Sequence, residues 1–138
     1  MSELFADTSG WGSLFDPTQP FHTLAANIYR TARLQGRKVV TTNYILSELV
    51  ALLTSPLRIT RPRVVALLDG LKNSPFVDVV HVDLALDGEA WNLLRSRLDK
   101  EWSLVDCASL VLMQRRSIAE ALTADHHFEQ AGFVRLLK

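Results

Sequence analysis

The chain has 138 residues, with 15 basic and 15 acidic side chains and a formal net charge of zero. Hydrophobic residues make up 48% and charged residues 22%, which is typical of a globular protein. A chain of this length buries roughly 68% of its unfolded surface, so we expect a single domain over residues 1–138. The neutral charge balance excludes a global attraction to nucleic acid, so any such binding has to use a local patch.

Cysteine content and hydropathy indicate the cellular compartment in which the protein is expected to reside. Cys107 is the only cysteine, so the chain cannot form an internal disulfide, which favours a reducing setting. The sequence has no run of roughly 20 apolar residues, the length that a membrane span needs. It also has no basic leader followed by an apolar stretch. We therefore expect a cytoplasmic protein that does not associate with membranes.

Apolar periodicity and turn residues predict the elements of the first half of the chain. Thr42 is a candidate cap for the helix that carries Glu48, and Pro56 ends that helix. The predicted order is a strand at 3–6, a loop or short helical turn at 10–20, a helix at 21–36, a strand at 39–40, a helix at 43–55 and a helix at 61–71.

The second half continues the same alternation. The predicted order is a strand at 76–82, a helix from 84 to about 98, a helix from 104 to about 116, a strand at 118–124, a helical turn at 126–130 and a strand at 133–136. Alternating strands and helices favour a parallel sheet with right-handed crossovers and helices on both faces. The sequence therefore predicts a three-layer α/β/α sandwich with a mostly parallel sheet of about four to five strands.

Four carboxylates occupy matching places in this pattern. Asp7 and Asp125 follow predicted strands, whereas Glu48 and Asp106 lie in the first turns of predicted helices. Ligands of open parallel sheets bind beyond the carboxyl ends of the strands, and all four acids can reach that edge. A charge flanked by apolar neighbours, as each of these is, lies at the wet end of its element or is compensated.

Four converging carboxylates repel one another, and their pKa values rise unless a cation neutralises them. Oxygen-rich sites suit Mg²⁺ and Mn²⁺, which can activate water and orient a phosphodiester. The pattern therefore predicts metal-dependent phosphodiester hydrolysis. Each acid taken alone also fits a turn, a cap or an exposed helix position, so spacing alone leaves the structural and functional interpretations open.

The four acids lie within segments that resemble the four motifs of PIN-domain nucleases. Within that family, the chain is similar to the VapC-type toxins of bacterial and archaeal toxin–antitoxin pairs. The closing segment 128–133 matches the usual end of the family, so the resemblance covers essentially the whole chain. The segments are Asp7-Thr8-Ser9, Thr41-Thr42 with Leu46-Ser47-Glu48-Leu49, Trp102-Ser103-Leu104-Val105-Asp106-Cys107, and Leu122-Thr123-Ala124-Asp125-His126-His127-Phe128.

The resemblance implies an endoribonuclease that uses Mg²⁺ or Mn²⁺. Asp7 and Asp106 are then the direct ligands, and Glu48 and Asp125 complete the catalytic metal site directly or through water. The resemblance also implies a homodimer and a cognate antitoxin protein that blocks the catalytic groove. The implied substrate is a structured RNA of the tRNA or rRNA class, and the motifs do not specify which one.

Several polar residues are predicted to support the acids. Ser103 and Thr42 fit helix caps, and the same hydroxyls are predicted to orient the carboxylates from outside the ligand set. Thr8 and Ser9 follow Asp7 and fit either contacts to phosphate or metal water, or simple turn residues.

A basic group and an aromatic residue are candidates for RNA contacts. Arg58, Arg61 and Arg63 follow the helix of Glu48 and are predicted to contact phosphates, although a solvated face is the common alternative. Trp11 fits either base stacking or packing of its loop.

The adjacent histidines His126 and His127 do not predict a zinc site. Neighbouring side chains on a turn point apart, and no further Cys or His is spaced to complete a ligand set. Solvent-exposed positions are expected for both.

Three other functions compete with the toxin hypothesis. The first is a noncatalytic RNA-binding or scaffolding domain with the same fold, against which the intact quartet of acids argues. The second is an aspartyl phosphatase of another α/β fold, which usually needs a second acid at the place that Ser9 occupies. The third is a DNA nuclease, since the metal chemistry barely distinguishes the sugar.

Overall fold

The computed structural model describes residues 2–138, which form a five-stranded parallel sheet flanked by seven helices. None of the helices in this range has the length and apolarity needed to cross a membrane. The strands are β1 (Leu4–Ala6), β2 (Val39–Thr42), β3 (Val77–Val80), β4 (Glu120–Leu122) and β5 (Val134–Arg135). The helices are α1 (Thr8–Phe15), α2 (His22–Leu34), α3 (Asn43–Thr54), α4 (Arg61–Asn73), α5 (Leu84–Ser96), α6 (Leu104–Arg115) and α7 (His126–Gln130).

The sheet has the strand order β3-β2-β1-β4-β5, and every neighbouring pair is parallel. In the centre, Phe5 of β1 lies opposite Val40 of β2 and Ala121 of β4. Right-handed crossovers place α1 to α4 on one face and α5 to α7 on the other, which confirms the predicted α/β/α class. The direction of the connections reverses between β1 and β4. In open α/β sheets, such a reversal is where ligands bind.

The sheet is covered on both faces, and its central strand is made of fully buried residues. The ring centroids of Phe5 and Phe128 lie 6.2 Å apart. Trp11 is 0% exposed, and its indole nitrogen donates to Thr41 Oγ1 at 3.1 Å. Trp11 therefore has the packing role that was one of its two predicted roles, although it lies in a helix and not in a loop. Its burial excludes base stacking.

The loop or short turn expected after Asp7 is a regular helix, α1, which begins at Thr8. The Asp7 carboxylate caps this helix by accepting a hydrogen bond from the Gly10 amide at 2.9 Å. A Cβ atom at Gly10 would lie 1.9 Å from the carbonyl oxygen of Leu122 in β4. Gly10 therefore lies inside α1, and its missing side chain leaves the space in which the helix packs directly against the end of β4.

Strand β4 is shorter than the predicted 118–124 and ends at Leu122, so Asp125 does not follow the strand directly. On one side its neighbour β1 ends at Ala6 and offers no ladder partner further on, while on the other side the Leu137 amide still donates to the Thr123 carbonyl at 3.1 Å. Side chains replace the ladder: the Ala124 amide donates to Ser9 Oγ and the Asp125 amide to the Thr123 hydroxyl, both at 2.9 Å. Strands β3 and β5 are likewise shorter than the predicted 76–82 and 133–136.

Candidate active site

A cleft of about 400 Å³ opens at the carboxyl end of the sheet, and the carboxylates of the four predicted acids line it. Asp7 reaches it from the end of β1 and Asp125 from the turn after β4, on either side of the point where the connections reverse. Glu48 of α3 comes from one helical layer and Asp106 of α6 from the other. The fold thus brings together residues that are up to 118 positions apart in the sequence.

Asp7 is the most deeply placed acid, with 7% of its surface exposed. Its Oδ1 accepts hydrogen bonds from Ser9 Oγ at 2.8 Å and from the Gly10 amide at 2.9 Å, and its Oδ2 accepts from Thr123 Oγ1 at 2.7 Å. Burial raises the pKa of Asp7 to about 6 despite these three donors, and the nearby charge of Asp125 adds to the increase. The carboxylate is held by three donors, and within residues 2–138 no Lys or Arg forms an ion pair with it.

Glu48 lies in the second turn of α3, which begins at Asn43, and not in the first turn as predicted. Thr8 donates a hydrogen bond to Glu48 Oε1 at 2.7 Å. Partial burial raises the pKa of Glu48, and the charges of Asp106 and Asp125 raise it further, while the Thr8 hydrogen bond lowers it. Thr8 therefore connects the start of α1 to the acid of α3.

Asp106 belongs to a capping box at the start of α6. Ser103 Oγ accepts from the Asp106 amide at 3.0 Å, and Asp106 Oδ2 accepts from the Ser103 amide at 3.0 Å. The cap thus fixes the direction of the Asp106 carboxylate. Ser103 lines the same cleft, so this one residue both caps α6 and orients the Asp106 carboxylate.

Asp125 caps the short helix α7, and its Oδ1 accepts from the His127 amide at 2.9 Å. The expected exposure of both histidines is wrong for one of them. The His126 side chain is 64% exposed, but that of His127 is only 17% exposed and lines the cleft. The hydrogen bond from the His127 amide to the Asp125 cap fixes the backbone at this turn, but the sequence pattern alone does not distinguish His127 from its exposed neighbour.

Two further residues of the site carry weak sequence signals. Thr123 is fully buried and joins two acids, because its hydroxyl donates to Asp7 and accepts from the Asp125 amide. The sequence signal for Thr123 is only that a hydroxyl residue stands two positions before the aspartate that follows β4. Glu101 lines the cleft as a fifth carboxylate, on the irregular segment before α6, where no periodicity distinguishes it from an ordinary loop acid.

Other predicted residues lie outside this arrangement. Thr42 Oγ1 accepts from the Ile45 amide at 3.2 Å, so the hydroxyl caps α3, and within residues 2–138 it bonds to none of the four carboxylates. The three predicted RNA-contacting residues are exposed and are not among those that line the cleft; these are Arg58, Arg61 and Arg63. Their contact with RNA stays a prediction.

The donor set of the cleft fits a hard divalent cation. Within residues 2–138, no Lys or Arg forms an ion pair with any of the four acids, and the pKa values of Asp7 and Glu48 are raised. Carboxylate oxygens are the ligands that Mg²⁺ and Mn²⁺ prefer. In the same range, one group of three possible ligand atoms lies within 4.8 Å, that of Asp125, His126 and His127, so the four acids surround the cleft more widely.

The chain belongs to the PIN-domain family, whose model matches residues 4–134. Two relatives from Mycobacterium tuberculosis strains CDC 1551/Oshkosh and ATCC 25618/H37Rv are each 30% identical over 133 residues, which covers 96% of this chain and 97% of theirs. Both carry the name 23S rRNA-specific endonuclease VapC20. The crystal structure of Mycobacterium tuberculosis VapC20, described as a sarcin–ricin loop cleaving toxin, is also similar, with a TM-score of 0.86 and 30% identity. This match covers 99% of this chain and 100% of that one.

Family membership confirms the predicted resemblance and fold. It also removes the phosphatase of another α/β fold from the competing functions, because the chain has a PIN fold from β1 to β5.

Proposed function

We propose that this protein is a Mg²⁺- or Mn²⁺-dependent endoribonuclease, the toxin of a toxin–antitoxin pair, that works as a single nuclease domain in the cytoplasm. One observation carries the proposal: four acids that have no Lys or Arg partner within residues 2–138 line one cleft, in a fold similar to VapC20 over nearly its full length. A noncatalytic scaffold would have no need to keep these carboxylates together, because their proximity and burial disfavour the charged form and raise the pKa values of Asp7 and Glu48.

Asp7 and Asp106 are the proposed direct ligands of the cation, with Glu48 and Asp125 completing the set directly or through water. A bound cation neutralises and polarises the phosphodiester for attack by water. The protein's own contribution is orientation: Ser9, the Gly10 amide and Thr123 hold Asp7, while Ser103 holds Asp106.

Glu48 is the acid best suited to move a proton. Thr8 occupies its Oε1, and within residues 2–138 no hydrogen bond reaches its Oε2. A raised pKa brings a carboxylate closer to the pH at which it can exchange protons during the reaction. We therefore assign the exchange of a proton with the attacking water to Glu48 Oε2.

The proposed substrate is a structured ribosomal RNA loop. VapC20 is named for the cleavage of 23S rRNA, and its crystal structure is described as that of a sarcin–ricin loop cleaving toxin. The net charge of zero means that local basic groups must bind the RNA, and Arg58, Arg61 and Arg63 are the proposed contacts. We also propose a homodimer and an antitoxin that closes the cleft.

The test uses purified protein on intact ribosomes, on naked ribosomal RNA and on a DNA copy of the cleaved loop. We expect new RNA 5′ ends at one site in the presence of Mg²⁺ or Mn²⁺ and none in excess chelator. Asp106→Asn is expected to abolish them. Absence of new ends with either ion, or undiminished cleavage by both Asp7→Asn and Asp106→Asn, would overturn the proposal, and cleavage of the DNA copy would reassign the substrate.

The partner proposal has a separate test in a bacterial host. Expression of the chain alone is expected to arrest growth, and co-expression with the product of the neighbouring gene is expected to restore it. Growth unaffected by the chain alone would contradict the toxin assignment. Light scattering of the pure protein measures the proposed dimer directly.

A further inference from the structure

His127 contacts two of the four acids at once. Its Nδ1 forms a hydrogen bond with Asp106 Oδ2 at 3.0 Å and lies 3.3 Å from Asp125 Oδ1, a close electrostatic contact that is not aligned as a hydrogen bond. These acids belong to different elements, because Asp106 lies in the first turn of α6 and Asp125 caps α7. The ring is therefore a side-chain link between the starts of two helices that each carry an acid of the cleft.

The two carboxylate partners determine which nitrogen of the His127 ring carries the proton. Carboxylate oxygens only accept hydrogen bonds, so Nδ1 has to be the donor for either contact to be favourable. A neutral ring with its proton on Nδ1 meets this requirement, and no positive charge on the ring is needed. Asp106 Oδ2 also accepts from the Ser103 amide, so this oxygen has two donors and Oδ1 is left for another ligand.

Trp102 Nε1 also donates to Gln130 Oε1 at 3.0 Å, between the segment before α6 and helix α7, but within residues 2–138 the His127 ring is the side chain that contacts both carboxylates. Without the ring, Asp106 would keep the Ser103 amide, and Asp125 would keep the His127 amide. Both of those donors are backbone groups of the acid's own helix, so neither connects α6 to α7. Two unbridged carboxylates repel each other, and the side chains can then move apart.

We propose that His127 is a positioning residue whose Nδ1–H donates to Asp106 and faces Asp125, and so holds the two carboxylates at the spacing from which their remaining oxygens bind the divalent cation. The inference rests on the metal site of the proposed function and extends it to a residue outside the carboxylate quartet. Donors that orient metal ligands in this way commonly contribute a factor of 10 to 100 in metal affinity.

The rival role for His127 is direct ligation, together with Asp125 and His126, whose candidate ligand atoms lie within 4.8 Å of one another. The choice of ion separates the two roles. Both ions favour oxygen ligands, but Mn²⁺, as a transition-metal ion, accepts an imidazole nitrogen more readily than the harder Mg²⁺ does. Loss of a direct nitrogen ligand would weaken Mn²⁺ binding far more than Mg²⁺ binding, whereas loss of a positioning donor weakens both by similar factors.

The experiment is calorimetric titration of the full chain with Mg²⁺ and, separately, Mn²⁺, without RNA. His127→Leu removes the donor, and we expect about 10- to 100-fold weaker binding of both ions. His127→Asn places an amide N–H at the position of Nδ1, and we expect it to bind within about threefold of wild type. His126→Leu is the matched control at the exposed neighbour: its Nδ1 lies 3.6 Å from Asp125 Oδ1, outside hydrogen-bond distance, so we expect affinities close to those of wild type.

Cleavage provides a second measurement. Because positioning acts through the cation, a sufficiently high ion concentration is expected to return kcat of His127→Leu toward wild type. Thermal unfolding of each variant checks the fold, and if His127→Leu does not fold, His127→Gln replaces it, since the Gln side chain moves the donor away from the Nδ1 position. The same 10- to 100-fold loss is expected for His127→Gln.

Three results overturn the inference alone: wild-type affinities in His127→Leu, a loss in His127→Asn as large as that in His127→Leu, or a loss confined to Mn²⁺. A wild-type chain that binds neither ion overturns the proposed metal site and the inference with it. The two failures are therefore distinguishable in one series of titrations.

Discussion

The two ends of the sheet treat acidic side chains in opposite ways. At the amino end of the strands, acids are paired with arginine: Arg116 binds Glu3 at 2.6 Å and Asp78 at 2.9 Å, and Arg37 binds Glu120 at 2.8 Å. At the carboxyl end, the four acids of the cleft have no Lys or Arg partner within the described residues 2–138. Residues of one chemical type thus serve stability at one end and leave negative charge available at the other.

The difference shows that a carboxylate has to be interpreted with its counter-charge. An acid whose partner is an arginine of the same chain gains hydrogen bonds in fixed geometry and needs no ligand. An acid such as Asp7, buried beside Asp125 and with a raised pKa, is unfavourable in its charged form until a cation arrives. The uncompensated end of the sheet is therefore the end at which a cation is expected to bind.

The largest expected effect is on cleavage and uses one acid from each end. Asp106→Asn removes a proposed cation ligand, and we expect the cleavage rate to fall by at least about 10³-fold, since an ion contributes several kcal/mol to the barrier. Glu120→Gln is the matched control from the paired end, and its rate is expected to stay within about twofold of wild type. Single-turnover cleavage measures both, and equal losses in the two variants would remove the functional difference between the ends.

The next effect is the dependence of stability on pH at Asp7. The pKa of Asp7 in the folded protein, about 6, exceeds the ordinary aspartate pKa of 3.8, so the folded state binds the proton more tightly. The resulting stabilisation is complete below pH 3.8 and is lost as pH rises through 6, which costs the metal-free protein about 3 kcal/mol at neutral pH. Asp7→Asn removes that cost.

Urea unfolding in chelator tests this expectation. We expect the free energy of unfolding of Asp7→Asn, relative to that of wild type, to be about 2 kcal/mol higher at pH 7.5 than at pH 4, so that the variant is relatively more stable at the higher pH. A difference between the two proteins that is the same at both pH values would show that Asp7 is not strained by its burial.

The fold was predictable because it depends on periodicity, and the misses have local causes. Alternating apolar strands and helices indicated the parallel α/β/α architecture without any contact information. Helix α1 was missed because Gly10 and Gly12 suggested a loop, whereas the space at Gly10 is required by Leu122 on a strand more than 100 residues away. The end of β4 was missed because it depends on where its pairing with β1 ends.

The site was partly predictable for the same reason. Acids at strand ends and helix starts could be placed at one edge from topology. His127 and Thr123 were not found, because their roles come from hydrogen bonds between elements and not from a pattern within one element. Thr42 shows the converse: its position predicts a cap, but the cap does not bring its hydroxyl to the acids.

A smaller effect is the stabilisation that a cation provides. A ligand at 100 times its dissociation constant stabilises the folded protein by about 2.7 kcal/mol. We expect Mg²⁺ to raise the unfolding temperature of wild type and of Glu120→Gln equally, and to leave Asp106→Asn nearly unchanged. Calorimetric scans with and without the ion give the comparison. An increase in Asp106→Asn as large as in wild type would place the cation away from the cleft.

The smallest effect concerns the paired end and completes the contrast. Arg116→Met leaves Glu3 and Asp78 without their shared partner, and because all three side chains are partly exposed, we expect a loss of stability of only about 1 kcal/mol. The affinity for Mg²⁺ and the cleavage rate are expected to stay at wild-type values, since the arginine compensates charge only at the amino end. Urea unfolding and calorimetric titration of the same sample measure both quantities. A weaker ion affinity in this variant would mean that the two ends of the sheet are coupled, and the separation of structural from functional acids would then fail.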